Sequence, residues 1–418
     1  MDVAAKFAPV VFWMMVATTP FSVAVEGGEG DQTPKVEAVD FSRLAHGDGD
    51  LAEASAAPLQ SAPDLPSSTL LRPAGRDYSV VSGPLVEVSS ARRNRSLEER
   101  DLWRFVFDND GFVHKDNAFT NGWSIQRHSR QHDNWLETGP SKFSGWISRT
   151  IPGLGDVGDR VVKRGAGLSQ ITMTPEDISN PDPQPGDVPW AGALGWAESW
   201  YAFNNSSLNA FQIYFGILGP YSLAETFQIQ IHDWINADEA LGWDNQLATE
   251  PLLNLNYAFK RKLISAGEYM GESLAADLAV GLEGALGNLE TSAGLTLEGR
   301  FGWGLPLGFT QLPDPAGDGI MLDPEKDCSG RFHLYFSVIF RVSATGHSVF
   351  FDGNLLRRSP HPGLEYDAVS HSTVFGLHAD RGRYAIHFNF YKYNDLPFES
   401  VNPLTDLTWG NITFEYRF

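Results

Sequence analysis

A single cysteine, Cys328, stands in 418 residues, so no intramolecular disulfide framework exists. The zinc spacings CxxC and HExxH are both missing. Basic residues are scarce: 31 Lys and Arg face 52 Asp and Glu, a formal net charge of −21. So acidic a surface repels phosphate backbones and argues against nucleic acid as a partner. An acidic site that handled an anionic lipid would need a divalent cation or local basic residues. No apolar run is long enough to cross a bilayer as a helix, which takes about 20 residues. If the protein sits in a membrane, it does so through strands. Length alone would suggest roughly two or three soluble domains, but a barrel uses a long chain as one sheet.

What is present begins with an export signal. Residues 1–24 carry Lys6, a short apolar core from Val10 to Val16 and the small-x-small site Ser22-Val23-Ala24. The alternative is a buried N-terminal helix. Residues 25–100 are dominated by Gly, Ala, Pro, Ser, Glu and Asp without a sustained hydrophobic period. Such composition cannot bury enough apolar area to offset ordering entropy, so it reads as a disordered leader. The remainder, 101–418, reads as one barrel domain.

From Leu102 onward the text alternates. Phe332, Leu334, Phe336, Val338, Phe340 and Val342 fall at every second position, with His333, Tyr335, Ser337 and Arg341 between them. Phe211 to Ile217, Leu274 to Leu282 and Ile412 to Phe418 repeat the pattern. Side chains on a strand alternate faces, so each segment has one apolar and one polar side. A soluble sandwich alternates too. Three features favour a membrane barrel: segments near 10 residues long, apolar faces almost free of charge, and a terminal aromatic, Phe418, on the apolar face. Twelve segments are readable, with cores near 102–109, 119–128, 166–173, 190–202, 207–218, 251–263, 273–285, 291–302, 331–351, 364–379, 382–393 and 409–418. The expected fold is an all-β, twelve-stranded antiparallel transmembrane barrel. Ala344-Thr345-Gly346 marks a bulge or break in the ninth strand.

A cleaved N-terminus starts in the periplasm, so connections after odd strands face outward. Two inner connections, 129–165 and 303–330, are long for periplasmic turns. The first contains Trp135, Phe143, Trp146 and Ile147 and has the makings of an interfacial helix. In the outer connection around 221–240, Phe227, Ile231, Trp234 and Ile235 recur at helical spacing, which predicts a helix over the barrel mouth. Gln228, His232 and Ile235 form a neighbouring stripe.

The first hairpin reads Phe107-Asp108-Asn109-Asp110-Gly111, then Phe119-Thr120-Asn121-Gly122-Trp123. Alternation aims Asp110 and Thr120 into the lumen at the outer rim. Asp, Asn and Gly are also ordinary turn residues, and a histidine beside an apolar stripe is commonly structural. The combination is more specific. Asn109-Asp110, Thr120-Asn121-Gly122, Gly216-Ile217-Leu218-Gly219-Pro220, and His232 through Asp238 to Trp243-Asp244-Asn245-Gln246, in that order, resemble the LpxR family of outer-membrane lipid A deacylases. The resemblance runs from about Leu102 to Phe418.

The resemblance implies a twelve-stranded barrel that hydrolyses the ester of a 3'-linked acyloxyacyl chain on the lipid A of lipopolysaccharide, with calcium in the site. Asn109 and Asp110 match the family's essential pair beside the metal. Thr120 matches a required hydroxyl residue, and His232 the base that activates water. Asp238 stands where the family can have Glu, as a metal ligand beside Asp110. The family's substrate-contacting lysine has no match, since Thr174-Pro175-Glu176-Asp177 is acidic there. Histidine near neutrality is a suitable base, hard oxygen donors suit calcium, and calcium polarises a carbonyl.

Two rivals remain at this stage. A serine lipase would use Ser124, which lies about 13 Å from His128 along the same face and would have to pair with His232 instead. A channel would use the lumenal charges Arg331, His333, Arg341, Asp277, Glu283, Glu298 and Arg300, although twelve strands leave a narrow lumen.

Overall fold

A computed structural model describes residues 101–418 apart from 110–118, 139–140, 156, 236, 268, 270–272, 311–331 and 396–407. The expected signal and leader, and Asp110, lie outside the described residues. The strands are β1 (Leu102–Asn109), β2 (Phe119–His128), β3 (Val161–Met173), β4 (Ala191–Phe203), β5 (Ser207–Leu218) and β6 (Glu250–Gly267). They continue as β7 (Leu274–Gly287), β8 (Glu290–Trp303), β9 (Phe332–Ser348), β10 (Val369–Arg381), β11 (Tyr384–Asp395) and β12 (Thr408–Arg417). Each strand pairs antiparallel with the next, and β1 pairs with β12 from Leu102↔Arg417 to Asn109↔Gly410, which closes the barrel. Closure leaves no sheet edge, as hydrocarbon demands. The predicted irregularity in β9 is a bulge: β8 shifts register between Thr291 and Ser292 opposite Gly346, and the strand runs on unbroken to Ser348.

Alternation sorts side chains as the sequence predicts. Phe105, Trp196, Phe215, Leu282, Phe336 and Phe375 are exposed on the outer surface. Arg104, Asp108, Ser124 and Gln126 are buried on the inner one. So large an apolar belt is untenable in water and suits lipid. Among the described residues no helix is long and apolar enough to cross a membrane.

The lumen is filled rather than open. Arg300 forms a bidentate pair with Asp277 at 2.9 and 2.6 Å, Lys262 reaches the same carboxylate at 2.9 Å, and Lys260 meets Glu298 at 3.0 Å. Pairing of this kind is what makes buried charge tolerable. The start of the second long connection explains itself here. Residues 304–310 fold back into the barrel, where Arg300 donates to Thr310 Oγ1 at 2.9 Å and to the Gly308 carbonyl at 2.8 Å, and Phe309 is buried. A cavity of about 330 Å³ remains at the opposite end, lined by Asp108, Asn254, Glu283, Arg341, Ser372 and Tyr391 among others.

Among the described residues there are three α-helices, α1 (Lys142–Thr150), α2 (Ala224–Ile235) and the single turn α3 (Val349–Asp352), and two 3-10 turns, Pro220–Ser222 and Trp243–Asn245. α1 is the helix anticipated in the first long connection, and it lies at the end of the barrel where β1 begins and β12 ends. Ser141 caps it by accepting from the Ser144 amide at 2.9 Å. Its buried face, Ser144, Ile147 and Ser148, covers Trp200 and Phe211 on the outer wall. The Trp200 indole donates to Ser144 Oγ at 2.8 Å. Gly153, at φ +78°, packs where a Cβ would overlap the Asn209 amide. Beside α1 the outer face carries an ion pair, Arg164 with Glu198 at 3.2 Å, a departure from the expected charge-free surface.

Candidate functional site

The helix predicted over the mouth lies elsewhere. It sits against the outer surface of the wall, at the end away from the termini. Leu168 and Trp196 fix which parity of β3 and β4 faces out, and Gln170, Thr172 and Gly192 share it. Gln170 is nevertheless fully buried: it donates to the Ser222 carbonyl at 2.6 Å and accepts from the Trp123 indole at 2.8 Å. A Cβ on Gly192 would overlap Ser222 Oγ and Ala224 Cβ. Phe227 meets the outward Trp123 at 5.8 Å between centroids. The helix therefore starts against β4 and runs across β3 toward β2. The physical reason is polarity: outward Gln170 and Thr172 cannot face hydrocarbon unsatisfied, and the connection after β5 covers them.

The buried stripe of α2 also differs from the apolar one expected. Phe227 is 41 % exposed, whereas Ala224 and Gln228 are buried. Gln228 accepts from the Trp243 indole at 2.8 Å, so the Trp243-Asp244-Asn245-Gln246 segment folds back to hold the helix. His232 lies four residues beyond Gln228 and shares its face, which directs it toward the covered space. Its Nδ1 is 2.6 Å from the Asp238 carbonyl oxygen. A carbonyl only accepts, so Nδ1 carries the proton and Nε2 presents a lone pair.

At the wall beneath, a polar row crosses three strands at one register: Asn109 pairs with Asn121, and Asn121 with Thr172. Neighbouring strands are about 4.8 Å apart, so these outward groups are contiguous. Asn121 and Thr172 are buried, and Thr172 Oγ1 makes no hydrogen bond. The register of β2 on β3 shifts between Phe119 and Asn121, so Thr120 occupies the irregular position. Asn109, the Thr120–Asn121 edge and α2 are thus on one flank, while Asp108 faces the lumen and accepts from the Asn411 amide at 2.8 Å.

The remaining candidates separate. The Asp238 side chain is exposed, and what it gives His232 is its backbone carbonyl. Among the described residues no group of three His, Cys, Asp or Glu is placed to hold a metal. Ser124 is buried on the lumenal face, accepts from Gln126 Nε2 at 3.0 Å and lies across the wall from α2. Gln170, Thr172 and Gln228 escape a sequence reading because their roles depend on which face a neighbouring loop covers. Polar residues at lipid-facing parity are the signal that finds them.

Residues 79–418 match the family model described as outer membrane protein LpxR. LpxR from Salmonella typhimurium superimposes with a TM-score of 0.59 at 12% identity, covering 76% of this chain and all of that one. The β domain of the Bordetella autotransporter BrkA covers 77% of this chain and all of its own at 8% identity and a TM-score of 0.37. An outer-membrane channel from Pseudomonas putida covers 77% of this chain and 97% of its own at 10% identity and a TM-score of 0.33. No curated protein matches the chain.

Proposed function

The chain belongs to the LpxR family of outer-membrane proteins, and from that premise we propose that it is a lipid A deacylase working from the membrane side of its barrel wall. The observation that carries this reading is His232, oriented by the Asp238 carbonyl on a helix that packs against β4 and β3 on the flank of an outward polar row. A site there meets a lipid in its own leaflet, without drawing it into the lumen. With the termini in the periplasm, this end faces the cell exterior, where lipopolysaccharide resides.

The reaction is ester hydrolysis of the 3'-linked acyloxyacyl chain. Nε2 of His232 takes a proton from water as the water oxygen attacks the ester carbonyl. The tetrahedral adduct collapses with cleavage of the carbonyl–alkoxide bond, and the imidazolium returns its proton to the sugar oxygen. The products are the free acid and the hydroxyl. Amides of Asn109 and Asn121 supply hydrogen bonds for the developing oxyanion, with Thr120 beside them. The described donors on the row are neutral oxygens, Asn109, Asn121 and Thr172, which fit a hard cation such as calcium better than a soft metal. With Asp110 adding charge, they would hold it. Calcium when bound polarises the carbonyl and neutralises an anionic headgroup.

The serine rival requires Ser124 and His232 to meet through the wall, so Ser124→Ala is expected to leave deacylation unchanged. The channel rival meets a lumen packed with paired charge and with residues 304–310. The deciding measurement is mass spectrometry of lipid A from cells carrying the protein or His232→Ala. The wild type should remove one acyloxyacyl unit, and the variant should fold yet lose roughly 10²–10⁴-fold in rate. Normal release by the variant would refute the assignment.

A further inference from the structure

The second external helix, α1, takes no part in that chemistry, and its surface is specific. Phe143 and Trp146 stack at 6.1 Å between centroids and remain 48% and 53% exposed. They stand on the membrane side of the wall, because the residues beneath them, Trp200 and Phe211, share outward parity with exposed Trp196 and Phe215. The exposed pair therefore continues the apolar belt of the barrel at the end carrying the termini. Lys142 and Arg149 flank it and are also exposed. The charge is local. Residues 127–164 contain seven Lys and Arg, namely Arg127, Arg130, Lys142, Arg149, Arg160, Lys163 and Arg164. Residues 165–259, which include α2, contain none.

We propose that α1 is a docking surface for an anionic glycerophospholipid of the periplasmic leaflet. Phe143 and Trp146 insert beside its acyl chains, and Lys142 and Arg149 meet its phosphate. Aromatic side chains at the edge of an apolar belt and basic groups at an anionic lipid surface are the physical elements of such a site. The opposite end is acidic around α2, and its exposed Leu355-Leu356-Arg357-Arg358 segment carries no aromatic pair.

The test uses the full-length protein, reconstituted in bilayers mixing phosphatidylglycerol with phosphatidylcholine. Native mass spectrometry then counts the lipids retained. The wild type should retain phosphatidylglycerol preferentially. The double variant K142E/R149E, folded by its heat-shifted gel mobility, should lose on the order of tenfold of that preference with deacylation unchanged. A second measurement needs no charge reversal. A fluorophore on W146C/C328S should be quenched by a shallow spin-labelled phospholipid far more than one on D182C/C328S, an exposed loop position at the other end. An unchanged lipid preference in the double variant overturns the proposal, as does quenching at 146 no greater than at 182.

Discussion

Helices α1 and α2 use one device for opposite ends. Both lie on the membrane side of the same flank, and both bury outward-facing residues that would otherwise meet lipid. Beneath α1 the covered residues are apolar, Trp200, Phe211 and Ile213, with one indole bonded to Ser144. Beneath and beside α2 they are polar, Gln170, Thr172 and Asn121, and Gln170 is tied to the Ser222 carbonyl and the Trp123 indole. An apolar covered patch stabilises the wall. A polar one costs solvation unless a covering segment shields or satisfies it. The comparison teaches that, on a barrel, a buried polar residue at lipid-facing parity identifies a stretch of wall that another segment covers.

The largest expected effect comes from prying α2 away. Gly192→Val places side-chain atoms where Ser222 and Ala224 now sit. Deacylation should fall by roughly a hundredfold, since small misplacements of catalytic groups cost that much, while heat-shifted gel mobility still reports a folded barrel. Loss of folding instead would mean that the helix is structural, as α1 is. The reverse experiment is Trp200→Ala, which empties the apolar contact under α1. It should lower unfolding stability by about 3 kcal/mol, as for other buried tryptophans, and leave the rate within about twofold. A large fall in rate would erase the distinction between the two helices.

The smallest effect concerns the clasp near α1 where the barrel closes. Asp101 accepts from Arg127 at 2.7 Å and from the Arg130 amide at 3.0 Å, and its carbonyl accepts from the Phe418 amide at 3.1 Å. Burial by itself would raise the carboxyl, but the bonds and charges of Arg127 and Arg130 outweigh it and hold it below its ordinary value. A depressed carboxyl contributes stability above its unfolded value, near 3.9, and loses it as pH falls through the folded one. The pair is well exposed, so the contribution is at most about 1 kcal/mol. Asp101→Asn should flatten the acid limb of stability below about pH 4, measured by urea unfolding across pH, with no change at α2.

Strand positions were legible because period-2 alternation is local. Phe332 to Val342 declares its two faces without reference to any other segment. The bulge opposite Gly346 and the interfacial helix around Trp146 were legible for the same reason. The placement of α2 was not. Its apolar spacing pointed to a stripe of Phe227 and Ile231, whereas Gln228 is the buried residue, and a tryptophan fifteen positions later donates to its amide oxygen. Asp238 meets His232 through a backbone atom, to which side-chain identity is blind.

The amino-acid order by itself determined a closed twelve-stranded barrel with an apolar exterior, since hydrocarbon outside and polar packing inside impose alternation residue by residue. Only the tertiary structure decided that the histidine stands outside the wall rather than above the lumen. That choice depends on which surface a long connection folds against, and the polar groups that make the choice lie on strands far away in the chain.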